Sequence, residues 1–378
     1  MKIALIGPTY PYKGGIAHLT TLFYKALSKS QQVSFFSFSR PYPKSIFPGN
    51  TINDPSKMIL KPQNVLHTID WANPATWTKT AQSIIKINPD LLILKWWTIF
   101  WFLPFYVICQ IARKKKNITV IAICHNIYDH EASRFNKMLS KSFLKLPHLL
   151  VVHSQDDRKI LAQWFNPESI ILSFLPIYSL NESDSPYSKT EAKKMLNVQG
   201  KVVLFFGFIR PYKGLHYLIN AVCKIKQQQP VTLLIAGESW KDKKSYLTLI
   251  QQGGIQDTTL WIDRYISNEE TSLLFSAADV VALPYTHATG SGVASLCLAY
   301  KRPLVTTSVG NLINFEKYHS ICRIVPPGDS DALSQALLDM LENPGAVSSE
   351  EYARVQEEYS WDNYLRLLPL SGKGCFRV

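Results

Sequence analysis

Six cysteines in 378 residues, with no C-x-x-C pair among them, leave no disulfide framework and no zinc-ligand spacing. Cys109, Cys124, Cys223, Cys297, Cys322 and Cys375 fall mostly inside apolar runs, where a thiol behaves as a small core hydrophobe. Charge is sparse too, at 18%, while apolar residues reach 46%, a balance that excludes extensive disorder. Acid is the scarcer sign, with 28 acidic against 41 basic residues and a net charge of +13. That imbalance suits an anionic partner: nucleic acid, an anionic lipid surface or a phosphorylated small molecule. The basic residues are scattered apart from 113–116, and no zinc finger or other DNA-reading pattern accompanies them, so no nucleic-acid partner is expected. A membrane span is missing as well, since it needs roughly 20 apolar residues and the segment 96–112 is shorter and contains Pro104. Met1-Lys2-Ile3 shows no secretory leader, and the expectation is a cytoplasmic protein with reduced thiols. Two phosphate signatures are also lacking, the Gly-Lys-Ser/Thr ending of a P-loop and the G-x-G-x-x-G dinucleotide fingerprint.

What is present is a chain long enough for two cores, because single cores stop growing near ~250–300 residues. A short apolar strand, Lys2-Ile3-Ala4-Leu5-Ile6, runs into a Gly/Pro loop ending in Gly14-Gly15-Ile16, and a helical pattern follows to Leu27. Further strand signals lie at 33–38, 91–94, 119–124 and 149–152, with helical stretches at 77–87, 105–113, 131–144 and 156–164. Around 178–190 the composition turns to Ser, Asn, Asp and Pro, the best linker in the chain. A second series then starts, with strands at 202–206, 232–235, 259–262, 280–283, 304–307 and 321–325. Its helical runs include 215–227, 269–275, 292–300 and 331–341. Alternating strand and helix predict α/β architecture, two doubly wound Rossmann-like domains. Ligands of such sheets bind outside the carboxyl ends of the strands, so a cleft between the domains is the expected site.

The most informative stretch is Gly207-Phe208-Ile209-Arg210-Pro211-Tyr212-Lys213-Gly214, between the strand 202–206 and the helical run after it. A strand-to-helix turn of this kind aims backbone N–H groups and a positive dipole end at whatever lies above the sheet. Arg210 and Lys213 add cations suited to a diphosphate, although the spacing alone is also that of a basic surface turn. The segment 96–112 holds Trp96, Trp97, Phe100, Trp101, Phe102, Phe105 and Tyr106, followed by Arg113-Lys114-Lys115-Lys116. It reads either as aromatics packed in a core or as an interfacial patch meeting anionic lipid.

These segments, in order, resemble the retaining glycosyltransferases of the GT-B fold, the large family four or glycosyl transferases group 1. Gly7-Pro8 to Gly14-Gly15-Ile16 is similar to that family's glycine-rich loop, and His125-Asn126, with His130-Glu131 after it, to its His-Asn turn. Gly207 to Gly214 is similar to its diphosphate turn. Leu283-Pro284-Tyr285, Ser291-Gly292-Val293 and Pro303-Leu304-Val305 look like its donor-binding strand and helix, and Tyr359-Ser360-Trp361 like the start of its closing helix. The resemblance implies an N-terminal acceptor-side domain over 1–180, a nucleotide-sugar-binding domain over 190–355, and a closing helix and tail over 356–378 that returns to the first domain. It also implies transfer of a sugar from a UDP- or GDP-linked donor to a glycan or lipid-linked acceptor in surface polysaccharide synthesis, at the inner face of the cell membrane. The catalytic candidates are then His125, Arg210 and Lys213, and the donor-binding ones Gly14, Gly15, Tyr265, Gly290, Ser291, Gly292 and Val293. Neutralisation by cations and helix termini would require no metal and no other cofactor.

The sequence departs from the family pattern in two places. Phe208 stands where the family has arginine, leaving Arg210 as the substitute, and the family's two glutamates eight residues apart fall on Ala288 and Leu296. The missing carboxylates keep open a catalytically inactive sugar-nucleotide-binding or scaffold protein of the same fold, and a phosphorylase or epimerase remains a further enzyme reading. Asp329-Ser330-Asp331 follows Pro326-Pro327-Gly328 and reads as a helix N-cap rather than a metal site. His125, just past a buried strand, has the near-neutral ordinary pKa that suits proton transfer. Glu131 and Glu270 read as charges at helix starts, Tyr265 as a strand-end contact, and Trp361 as a packing residue of the closing helix.

Overall fold

The computed structural model describes residues 1–43, 51–57, 61–115, 117–128, 133–178, 186–239, 243–343 and 348–370. His130, Glu131 and Cys375 lie outside them. The chain divides into two compact units, one of Met1–Asp54, Leu60–Phe174 and Trp361–Val378, the other of Pro55–Ile59 and Leu175–Ser360.

The first unit is built on seven strands: β1 (Lys2–Ile6), β2 (Gln32–Arg40), β3 (Val65–Asp70), β4 (Leu91–Trp96), β5 (Thr119–Cys124), β6 (Leu149–Val152) and β7 (Ile170–Leu172). They form one sheet in the order β3-β2-β1-β4-β5-β6-β7, parallel throughout. Register follows apolar pairs such as Ile3 with Val33 and Ile3 with Leu91. Parallel strands are covered on both faces and so read as continuous apolar runs, which is why β4 is buried at all six positions. The order reverses between β1 and β4, the place in a doubly wound sheet where a crevice opens at the carboxyl ends.

The second unit repeats the plan with β8 (Lys201–Phe206), β9 (Val231–Ala236), β10 (Thr259–Ile262), β11 (Val280–Leu283), β12 (Leu304–Thr307) and β13 (Cys322–Val325), in the parallel order β10-β9-β8-β11-β12-β13. Its reversal falls between β8 and β11. Two parallel sheets flanked by helices are the α/β architecture expected from the alternating pattern.

Two edge strands, β3 and β7, were not among the expected strands. The first buries only Ile69 and the second is three residues long, so neither carries the buried apolar run that marks the inner strands. The helix expected over 105–113 begins earlier, at Phe102–Ala112, because Pro104 lies in its first turn, where the missing N–H has no intrahelical partner to lose. Most of the aromatic segment is core: Trp101 packs on Phe38 at 4.0 Å, Trp96 stacks on Phe143 at 4.3 Å, and Phe105 is wholly buried. Leu103 faces solvent. Among the described residues no helix is long and apolar enough to cross a membrane.

The helix Trp361–Arg366 belongs to the first unit, where Trp361 and Tyr364 bury their rings 6.2 and 5.9 Å from Phe23. Of the described cysteines, Cys109, Cys124, Cys297 and Cys322 are buried free thiols and Cys223 is half-buried.

Candidate active site

In the second unit, β8 ends at Phe206 and Gly207 leaves it with φ +94. A single turn of 3-10 helix, Pro211–Lys213, follows, and Gly214 then opens the helix Leu215–Lys226 with φ +71. Proline at the start of the turn fixes its own φ, and Arg210 accepts the Lys213 amide on its carbonyl at 2.9 Å. The turn therefore brings Lys213 inward. Its side chain is buried, and the ammonium nitrogen lies 3.1 Å from where a Cβ on Gly207 would stand, with Val293 Cγ2 3.4 Å from the same point. The nitrogen also sits over the Tyr285 ring, 5.6 Å from its centre.

The helix Gly292–Ala299 opens beside this amine. Ser291 caps it, accepting the Ala294 amide at 3.2 Å, and its hydroxyl lies 3.4 Å from that of Tyr285. A side chain at Gly290 would crowd Asn311, whose Nδ2 stands 3.0 Å from the would-be Cβ. Asn311 is buried, and its Oδ1 has no hydrogen-bond partner among the described residues. The hydroxyl of Tyr178 reaches to 3.8 Å from the would-be Cβ of Gly292. Lys213, Gly207, Tyr285 and the residues Gly290, Ser291, Gly292 and Val293 are thus one neighbourhood.

No carboxylate pairs with Lys213 among the described residues. Burial, and then the nearby charge of Arg210, pull its pKa from 10.5 down to about 8. Arg210 is half-buried with its guanidinium 5.9 Å from the centre of the Tyr212 ring. Tyr265 lies past the end of β10, its ring 6.0 Å from that of Phe208, the residue standing in the family's arginine position. The carbonyl of Ala288 packs against Gly310, whose Cβ would fall 2.1 Å from it.

The other expected roles resolve locally. Asp329 caps the helix Ser330–Glu342, accepting the amides of Asp331 and Ala332 at 2.9 Å each. Glu270 closes a capping box with Ser267 and forms a two-point ion pair with Arg264. Among the described residues no cluster of three or more His, Cys, Asp or Glu side chains is placed to hold a metal ion.

In the first unit, Gly14 and Gly15 stand at the start of the helix Gly15–Leu27, which has no side-chain cap, and a Cβ on either would meet nothing within 4 Å. Gly7 ends β1 close under Lys95, whose Cγ would lie 3.1 Å from a Cβ there. His125 follows β5 and donates its amide to the Trp96 carbonyl at 2.8 Å. Its ring centre is 5.5 Å from that of His153, the first residue after β6. Burial first, then the charge of Lys95, hold both imidazoles below their ordinary 6.5, His153 at about 3 and His125 well below. Burial and the Lys95 charge thus favour the neutral form of the His125 ring, against the near-neutral titration of an ordinary histidine. Lys95 was not a candidate from the sequence, and its only local signal is a charge inside a buried apolar run.

The two doubly wound parallel sheets have the GT-B fold. Residues 200–343 match the model of the family described as glycosyl transferases group 1. The chain is 24% identical to an uncharacterised glycosyltransferase of Methanocaldococcus jannaschii over 96% of this chain and 95% of that one. The fold is similar to that of HepE from Anabaena, solved in complex with UDP-glucose, with a TM-score of 0.73 at 17% identity over 97% and 98% of the two chains. It is also similar to the lipopolysaccharide outer core galactosyltransferase WaaB in its apo form, with a TM-score of 0.67 at 14% identity over 97% and 98%.

Proposed function

We propose that this chain is a retaining, metal-independent glycosyltransferase that uses a nucleoside diphosphate sugar, UDP- or GDP-linked, as donor. The observation that carries the reading is Lys213: a buried ammonium with no acid partner among the described residues, beside the N-terminus of Gly292–Ala299. A buried unpaired cation is unfavourable on its own, and a diphosphate oxygen at that place supplies the missing charge. Arg210 adds a bidentate grip, and Gly290, Ser291, Gly292 and Val293 offer a helix end to the same phosphate. Tyr265 is assigned to the nucleobase side. Gly14 and Gly15 are assigned to close backbone approach to the donor phosphate, and His125 to a neutral hydrogen-bonding contact with the sugar.

The chemistry then needs little more from the protein. The bond between the anomeric carbon and the phosphate oxygen breaks, the acceptor oxygen bonds to that carbon from the same face, and the acceptor proton passes to the departing phosphate. Charge accumulating on the diphosphate is met by Lys213, Arg210 and the helix dipole, which is the electrostatic part of the catalysis. Support for a UDP donor comes from HepE, solved with UDP-glucose.

The acceptor is assigned as a glycan or lipid-linked glycan of a surface polysaccharide, in keeping with the outer-core substrate of WaaB. A face of the first unit supports peripheral binding at an anionic membrane. On the helix Arg134–Leu144, Phe135 and Met138 are exposed one turn apart, with Arg134, Lys137 and Lys141 on the same helix. Sedimentation with anionic and neutral vesicles, at low and high salt, tests it; equal recovery in the supernatant throughout refutes it.

The donor assignment is tested by thermal shift with UDP, GDP, ADP and their sugars, since a ligand of the folded state raises the melting temperature. A rise with one nucleotide family, followed by α-configured product from the α-donor, is the expected result. No shift with any of them, or a β-configured product, overturns it.

A further inference from the structure

Two lysines are buried among the described residues, Lys213 in the second unit and Lys95 in the first. Each stands at the carboxyl ends of its own sheet, beside the reversal of strand order: Lys213 past β8 and Lys95 near the end of β4, adjacent to β1. Lys95 is 2% exposed, and among the described residues its amine makes no ion pair and no hydrogen bond. Its nitrogen lies 4.1 Å from the centre of the Phe23 ring, and the two neutral histidines, 125 and 153, feel its charge.

That environment does not explain a lysine. A cation over a ring recovers only part of what burying an ammonium without a counter-charge costs. Burial alone pulls the amine from 10.5 to about 7. A methionine would fill much the same volume without that penalty. An anion held against the amine would complete an ion pair there and restore its charge.

We propose that Lys95 is the anion-binding group of an acceptor subsite, taking a phosphate or carboxylate oxygen of the acceptor on its ammonium. The inference rests on the glycosyl-transfer reading for the word acceptor, but not for the site itself. His125 and His153 lie near enough to feel the amine's charge, which together with burial favours their neutral forms. Gly7 leaves room for the lysine stem, since a Cβ there would lie 2.8 Å from Thr20 Cγ2 and 3.1 Å from Lys95 Cγ.

The test uses the full chain and Lys95→Met, with inorganic phosphate, acetate and UDP added separately. Phosphate or acetate is expected to raise the wild-type melting temperature by about 2–4 °C at several times the dissociation constant. Lys95→Met is expected to ignore both anions, to melt no lower than wild type without them, and to respond to UDP as wild type does. Equal anion responses in the two proteins overturn the proposal, as does loss of the phosphate response when UDP is already bound, which would assign the amine to the donor. Should the variant fold poorly, side-chain NMR of Lys95 in the unaltered chain decides: phosphate must move its titration upward, and an unmoved titration overturns the site. Glucose 1-phosphate and phosphatidate vesicles, run in the same way, separate a soluble from a lipid-borne phosphate, and a response to neither overturns the acceptor assignment. If no nucleotide shifts the wild type, the donor reading fails while the Lys95 result stands by itself.

Discussion

Gly214 and the carbonyl oxygen of Pro284 stand so close that a Cβ on residue 214 would lie 1.9 Å from that oxygen. This approach holds the Gly207–Gly214 turn against the chain leaving β11, and it sets the depth at which Lys213 enters. Gly214 also has φ +71, where a side chain is strained whatever the space. Gly214→Ala is expected to lose more than about 1 kcal/mol in urea unfolding and to weaken UDP binding as well. A variant with unchanged stability would mean that the contact is not a fixed part of the turn.

Lys213→Met and Arg210→Ala are each expected to weaken donor binding by about 1–3 kcal/mol, the range for charge-assisted contacts, with circular dichroism unchanged. Calorimetry with UDP reads the loss directly. Unaltered affinity in both variants would remove these two cations from the donor site and with them the electrostatic account of catalysis.

Much of this site was legible because it is local. A strand, a glycine, two cations and a second glycine lie within one stretch, and backbone geometry alone brings them to the head of a sheet. Ser291 as a cap and Asp329 as a cap were equally readable, each needing only the residues just after it. Lys95 was not, since at the end of Leu91-Leu92-Ile93-Leu94 a lysine reads as a strand running into solvent. Its burial depends on Phe23 and, behind that ring, on Trp361 and Tyr364 from the far end of the chain. The segment 96–112 shows the same limit. Its composition fits a membrane-facing patch as well as a core, and the partners that decide, Phe38 and Phe143, lie on other elements.

Lys213 and Lys95 together predict how stability depends on pH. The folded protein holds these amines at about 8 and about 7, against 10.5 for an ordinary lysine, so above those values the unfolded chain binds more protons. Their penalty is present in full below pH 7 and is relieved as pH rises from 7 to 10.5. Lys213→Met is accordingly expected to melt higher than wild type near pH 6.5, with the gap closing toward about pH 9.5. Adding UDP to wild type at the lower pH should close the same gap from the other side. A gap independent of pH would show that the amine is paired in the folded protein.

His125 gives the remaining prediction, because burial and the Lys95 charge push its imidazole well below 6.5, which disfavours a change of charge during turnover at neutral pH. Its titratable neighbours include His153 and Lys95, which add to burial in lowering the ring's proton affinity. The transfer rate between about pH 6 and pH 9 should therefore show no limb assignable to this ring. His125→Gln keeps a neutral hydrogen-bonding side chain and is expected to lower kcat by about five- to tenfold, the worth of a neutral contact, while leaving the shape of the profile unchanged. A limb near pH 6.5 in wild type that vanishes in His125→Gln would instead make the histidine a proton carrier, and the donor phosphate would no longer be needed to take the acceptor proton.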